Sequence, residues 1–448
     1  MRSFKEFLLS EEKRSDPDAE TIIGAGVNTP AALGVMGGSL HDGVATEIAQ
    51  KFLKDITRIA LATQDDHALL ATEILTSINR QGMNHPKECG PALVALETSQ
   101  NASIADLAFR EHRSLHEKHE TILEKEYMRA VQYAFSYQRD IVKDTRGAKT
   151  NPYTAKLYLM MDVLKISKVK TRKRFFESLC SRIDFDPAKL AVNENLPPHV
   201  DFSRFVIENM AFFEYQSIDE LLVAIVAMEK IVAATGTTVA HAIETEIFQV
   251  RLEQNLQPMN IDGEAPPLGP YANVDPARLR QLTAASMILS SLWEARTYLR
   301  RLYGLMTNRR EGKGKVSIKD LNKAPVKVAG VTGDKFWEEI TKIMSSLTSP
   351  KAMMDQCRSF VELLTVDKDF KIAAEGEDDI TRAKHTTPSE EEGDGPSAPP
   401  SGSGRGRKRK ASGTPSRKKR ARSSSRGRSK KANRGSADSD EDAEGDWE

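Results

Sequence analysis

Apolar residues along most of this chain recur every three or four positions and almost never every second one. From Val44 to Ala60 they fall at Val44, Ile48, Phe52, Ile56 and Ile59. That spacing gathers side chains on one stripe of an α-helix, whereas a half-buried strand needs alternation. The stripe is expected to be buried, and the chain to be all-α.

The expected helices come in pairs. Val44–Ala62 is followed by Ala68–Ile78, and Pro91–Ser99 by Ser103–His119. Asp65, Asp66 and Asn101 stand at the junctions, where a short polar side chain can accept from the free amides of the next helix. Further helices are expected over Glu124–Asp144, Thr154–Ile166, Arg172–Arg182, Phe202–Phe212, Ile218–Ala234 and Thr238–Gln254. Others follow over Pro276–Thr307, Asp334–Leu347 and Pro350–Val366. The second pair, LVALETSQNASIADLAF, resembles a HEAT unit, with Asn101 where Asp is common and Ala105 where Arg is common. Stacked helix pairs, repeating at about forty residues, are the simplest architecture for such a run. Thr21–Gly38 reads as a flexible loop and Gln257–Pro270 as a turn-rich linker.

Composition changes sharply toward the carboxy end. The net charge of +1 hides blocks: eight acidic against two basic residues over Glu375–Asp394, fifteen basic and no acidic over Arg405–Arg434, then seven acidic over Ser436–Glu448. Such blocks stay solvated and serve as interaction tails, so the chain beyond Ile372 is expected to be disordered. Lys408, Arg409 and Lys410 with Arg417, Lys418, Lys419 and Arg420 have the composition of a nuclear localisation signal. Thr414, Ser423, Ser424, Ser425 and Ser439 are phosphorylation candidates, and phosphate there would reduce the positive charge.

Several function classes find no support. Cys89, Cys180 and Cys357 form no CxxC, so neither a zinc ribbon nor a redox motif is present, and their spacing fits a reducing compartment. No apolar run is expected to span a bilayer, and the start lacks a secretory signal. His112, His116 and His119 share a helix face, but HEKH has the wrong spacing for a zinc protease. A solvated face is the expectation there. Gly24-Ala25-Gly26 and Gly312-Lys313-Gly314-Lys315 fit neither a dinucleotide nor a Walker fingerprint. No cofactor, metal or catalytic residue is expected, and the chain is read as a binding protein, not an enzyme.

Two basic segments stand out within the foldable part. Lys165–Arg174 has six cations in ten residues, namely Lys165, Lys168, Lys170, Arg172, Lys173 and Arg174. Arg296–Lys327 has ten basic and two acidic residues, with Arg296, Arg300, Arg301, Arg309, Arg310, Lys313, Lys315, Lys319 and Lys323 as phosphate-contact candidates. Cations arranged this way release counterions on meeting a phosphate backbone, and they read no base sequence.

PHVDFSRFVIENMAFFEYQSIDELLVAIVAMEKIVAATGTTV and the preceding FESLCSRIDFDPAKL resemble the Nipped-B family of cohesin-loading proteins. So do FLKDITRIALATQDD, INRQGMNHPKECGPALVALETSQN and the late LTAASMILSSLWEARTYLRRLYGLMTNRREGKGKVSIKDLNKAPV. The resemblance spans about Asp42–Lys371 and points to the carboxy-terminal part of a fungal member. It implies a hook-shaped, HEAT-like helical-repeat solenoid with a disordered charged tail. The expected divisions are 1–41, a helix and loop; 42–256, helical repeats; 257–274, a linker; 275–371, a helical block; and 372–448, the tail. The implied function is a chromatin-associated nuclear scaffold that promotes cohesin loading and sister chromatid cohesion. The implied partners are cohesin's kleisin and SMC heads, whose ATPase it would stimulate, and double-stranded DNA without sequence preference. A nuclear import receptor would read the tail. Family members are longer, so the arm that binds the loader's TPR partner is expected to be missing, leaving an uncovered apolar face at the start of the array. The alternative is another nuclear HEAT scaffold, in transport or ribosome assembly, with its tail on RNA.

Overall fold

The computed structural model describes residues 1–15, 40–190, 197–249, 274–305 and 321–383, with side chains 11, 13–15, 40–42, 249 and 367–383 outside the description. The expected loop at 21–38, the linker at 257–270 and the charged tail from 384 fall outside these residues, while the last helix runs on to Ala383, past the point at 372 where a disordered tail was expected to begin. The described helices are α1 Arg2–Ser15, α2 Leu40–Ala60, α3 Asp66–Arg80, α4 Pro86–Leu96, α5 Ala102–Tyr137, α6 Tyr158–Leu164, α7 Val169–Ser181 and α8 Pro198–Phe212. They continue with α9 Ile218–Ile243, α10 Pro276–Leu302, α11 Asp334–Met344 and α12 Pro350–Ala383. Short π-helical turns, Gln138–Val142 and Glu244–Gln249, extend α5 and α9.

The paired arrangement follows from the junction residues. Asp65 accepts from the amides of His67 and Ala68 to start α3, and Asn101 accepts from Ser103 to start α5. Gln64 joins the two turns: its side-chain oxygen accepts from Ser99 Oγ and the Gln100 amide, and its carbonyl accepts from Asn101 Nδ2. These bonds satisfy helix-end groups and fix the register of one pair on the next. The long α5 bends at His119, where φ −135° and ψ 39° leave the helical region, close to the boundary expected from sequence.

Four expectations need correction. Only part of the expected stripe on α2 is buried: Val44 is 49% and Phe52 46% exposed and Ile48 and Ile59 are half-buried, while Ile56 joins Ala45, Ala49, Leu53 and Ala60 in the core. α1 packs on α3 through Leu8, the pair Lys5–Glu73, and a bond from Gln81 Nε2 to the Leu8 carbonyl. Second, residues 148–155 form an antiparallel hairpin, Ala148–Thr150 with Tyr153–Ala155, where a helix was expected from Thr154. Its flanks satisfy buried polar groups of α8. The Gly147 amide donates to Glu208, 2.6 Å away, and the Leu157 amide to Asn209, 2.8 Å away.

Third, α9 is one helix where two were expected on either side of Gly236. That glycine faces Phe360 and Leu364 of α12, where an added methyl would make ordinary contacts at 3.5 Å and 3.7 Å. Fourth, Ile218–Phe248 is long and apolar enough to cross a membrane by length and composition. Its buried stripe, Leu221, Ala224, Ile225, Met228, Ile231 and Val232, is covered by α7, α10 and α12 of the same chain.

α10 holds the second half together. From Leu282 to Leu292 every residue is buried, which makes this segment apolar or small all round, as a fully enclosed helix must be. Its buried hydroxyls bond back along the helix, Thr283 to the Leu279 carbonyl and Ser291 to the Met287 carbonyl. Ser290 meets Gln356 of α12. α8, α9, α11 and α12 all pack against α10.

A methyl group at Gly147 would sit 2.0 Å from the Phe205 carbonyl oxygen and 2.9 Å from the Asn209 amide nitrogen. Gly147→Ala is therefore expected to cost about 2–4 kcal/mol by displacing backbone and weakening the Glu208 bond. Thermal unfolding checks this: an unchanged melting temperature would contradict it.

Candidate nucleic-acid interface

The two basic segments, far apart in sequence, meet at the first turn of α9. Ser217 Oγ accepts from the Glu220 amide, and the Glu220 carboxylate accepts from the Gln216 amide, 3.1 Å away. This is a variant of the capping box written in Ser217-Ile218-Asp219-Glu220. Arg172 of α7 bonds the buried Glu220 carboxylate at 2.8 Å and 2.7 Å. Its other nitrogen donates to the carbonyls of Lys165 and Ser167. Lys173 pairs with Asp219. The amides of Ile218 and Asp219 donate to the carbonyls of Lys323 and Leu321 at 2.9 Å and 3.0 Å. The strap beginning at 321 thus caps α9, whose first amides are used internally.

These contacts divide the expected phosphate ligands. Arg172 is committed to Glu220 and buried, so it is part of the scaffold of the site. Lys165 pairs with Asp162 and Glu214 at 3.0 Å and 3.5 Å. Hydrogen bonds to those carboxylates outweigh partial burial and raise its pKa. Arg296 and Arg300 share the Glu229 carboxylate, each at 2.7 Å. Lys168, Lys170, Arg174 and Arg301 are exposed, and among the described residues they carry no ion pair; Lys323 is exposed as well. Arg309, Arg310, Lys313, Lys315 and Lys319 lie outside the described residues, as do the localisation and phosphorylation candidates of the tail. Sequence reading missed the carboxylates Asp219, Glu220 and Glu229 that sort these cations. Only the Ser-x-x-Glu cap carried a signal for one of them.

Behind the α6–α7 turn runs a buried polar chain, which overturns the expected solvated histidine face. His112 and His116 are enclosed, and only His119 is exposed. Glu97 Oε1 lies 2.6 Å from His112 Nδ1, and His112 Nε2 lies 3.1 Å from the Tyr127 hydroxyl. That hydroxyl lies 2.8 Å from His116 Nδ1, and His116 Nε2 lies 2.9 Å from Ser167 Oγ. Two opposite sets of protons satisfy every link: with Glu97 ionised, Ser167 donates to His116, His116 to Tyr127, Tyr127 to His112 and His112 to the carboxylate, and with Glu97 protonated every donor reverses. Burial raises the pKa of Glu97, opposed by His112. Burial lowers that of His116, helped by His112. Among the described residues no group of three or more His, Cys, Asp or Glu side chains could hold a metal. These four links tie α4 and α5 to the turn that carries Lys165 and Lys168.

Comparison with known proteins places this architecture. Residues 45–231 match the family described as "Sister chromatid cohesion C-terminus" (Nipped-B_C). The chain is 26% identical over 219 residues to sister chromatid cohesion protein mis4 of Schizosaccharomyces pombe, covering 48% of this chain and 14% of that protein. It is 22% identical over 236 residues to Nipped-B protein of Drosophila melanogaster, covering 50% of this chain and 10% of that protein. A solved C-terminal fragment of the Chaetomium thermophilum cohesin loader SCC2 superposes with a TM-score of 0.63 at 50% identity, covering 81% of this chain and 22% of that one. The chain thus spans a small part of the length of the relatives it matches.

The lowered pKa of His116 makes a pH prediction. A group whose folded pKa is depressed contributes stability above its unfolded value, here 6.5, and loses it as pH falls toward the folded value. His116→Gln removes that proton linkage. The variant is expected to be less stable than the parent above pH ~6.5, with the gap narrowing at lower pH. Denaturant unfolding at several pH values measures it, and a constant gap would count against the neutral buried imidazole.

Proposed function

From a chain that carries the Nipped-B C-terminal domain over residues 45–231, we propose a chromatin-bound scaffold of sister chromatid cohesion that promotes cohesin loading. The observation that carries this reading is the likeness to the solved loader fragment, at 50% identity over 81% of the chain. The protein acts by binding and performs no chemistry of its own. Its helical surfaces hold cohesin's kleisin and SMC heads, and its exposed cations hold the DNA backbone. Holding DNA and ATP-bound heads together favours the hydrolysis-competent arrangement through tighter binding of that state, and so stimulates the SMC ATPase.

Arg174, Arg301 and Lys323 are the described phosphate contacts in this scheme, joined by Arg309, Arg310, Lys313, Lys315 and Lys319. Arg300 stays with Glu229 and keeps α9 and α10 in register. The clusters Lys408–Lys410 and Arg417–Arg420 recruit a nuclear import receptor and add non-specific affinity for DNA. Phosphate at Thr414, Ser423, Ser424, Ser425 or Ser439 weakens that affinity by cancelling charge.

Charge reversal at Arg301, Lys313 and Lys315 tests the scheme. Each lost phosphate contact is expected to reduce the slope of log K against log salt by about 0.9 for duplex DNA. DNA-dependent ATP hydrolysis by cohesin is expected to fall in parallel. Full stimulation of cohesin by the reversed protein would refute the DNA-clamping role, and turnover of ATP without cohesin would refute the scaffold reading.

A further inference from the structure

The surface where the two basic segments meet is also apolar. On the α6–α7 side, Ile166 and Val169 are exposed, interleaved with Lys168 and Lys170. On the strap, Val326 is 80% and Val328 44% exposed, with Lys327 between them. Lys168, Lys170 and Lys327 have no ion pair among the described residues.

The two halves are joined through residues 214–219. Lys165 pairs with Glu214, and Lys173 with Asp219. The strap bonds the amides of Ile218 and Asp219, and the Val328 amide donates to the Leu302 carbonyl at 2.7 Å. Tyr303 meets Tyr215 edge-on at 6.5 Å, bringing the end of α10 to the same place. Gly304, at φ +64°, lies under Val328. Isolated exposed aliphatics are ordinary on any protein surface. Here four of the exposed large hydrophobics lie on two segments joined to one helix end, and Val169, Val326 and Val328 each adjoin a lysine that has no ion pair among the described residues.

Phosphodiester backbone would answer the lysines and leave the valines in water. A polypeptide with carboxylates beside aliphatic side chains answers both, burying apolar area inside a charged rim. We propose that this surface, Ile166–Lys170 with Pro325–Val328, binds an acidic polypeptide segment in which Asp or Glu alternates with aliphatic or aromatic residues. Lys168 and Lys170, phosphate candidates by composition, meet carboxylates in this arrangement. The proposal does not depend on the cohesion role, since the surface is defined by its own side chains.

The test uses the full chain and fluorescence anisotropy with three probes: a peptide alternating Glu with Leu, a peptide alternating Glu with Ser, and a duplex DNA. The parent protein is expected to bind the Glu/Leu peptide about tenfold more tightly than the Glu/Ser peptide. Val326→Ser with Val328→Ser, both at exposed positions, should erase that preference and leave DNA affinity within about twofold. Lys168→Gln with Lys170→Gln should weaken both peptides. Equal binding of the two peptides by the parent, or none, would overturn the proposal. So would a serine variant that loses DNA affinity as much as peptide affinity, since that would mark a nucleic-acid contact. Circular dichroism of each variant confirms that the helices persist.

Discussion

A buried carboxylate at the first turn of α9 organises the basic edge of this protein. Glu220 is withdrawn from water, and an ionised group so placed requires a charged, hydrogen-bonded partner. Arg172 supplies it and spends its remaining donor on the carbonyls of Lys165 and Ser167. The turn between α6 and α7 is thereby fixed, and with it the direction in which Lys168 and Lys170 project. Ser167 is in turn the last member of the Glu97–His112–Tyr127–His116 chain. The surface cations of one helix pair are thus positioned by polar groups reaching back to the pairs before it.

Helix pairing, the caps at Asp65 and Asn101 and the break near His119 were legible in sequence because each is a local matter. What escaped was decided by partners far along the chain. Periodicity on α2 identifies residues that share a face, and Val44 and Phe52 do share one. It does not say which face is covered, and the covered one runs through Ala45, Ala49, Leu53, Ile56 and Ala60. The histidines show the same limit: Lys118 and Glu117 beside them suggested solvent, while Glu97 and Ser167 enclose their rings from other elements. The hairpin at 148–155 has a weak pattern of its own and is held by Glu208 and Asn209, more than fifty residues on.

The cationic segments were visible as composition, but composition counts charges without sorting them. Arg172, Lys173, Arg296 and Arg300 face carboxylates on α9, so their role is to register helices. Lys168, Lys170, Arg174 and Arg301 face solvent. α9 likewise has the apolar length of a membrane span, yet Lys230, Thr237, Thr238 and His241 stand among its exposed positions beside Val226, Ala233 and Ala234, and its buried stripe is filled by neighbouring helices.

The enclosure of α10 separates the two halves mechanically. A stack in which each pair touches only its neighbours can fray from an end, one layer at a time. α2 and α3 belong to such a stack. From Pro198 onward, helices on both sides of α10 in sequence close around it, so none can leave without exposing that core. Under tension the early pairs would peel progressively, whereas the later block would hold and then yield in a single step.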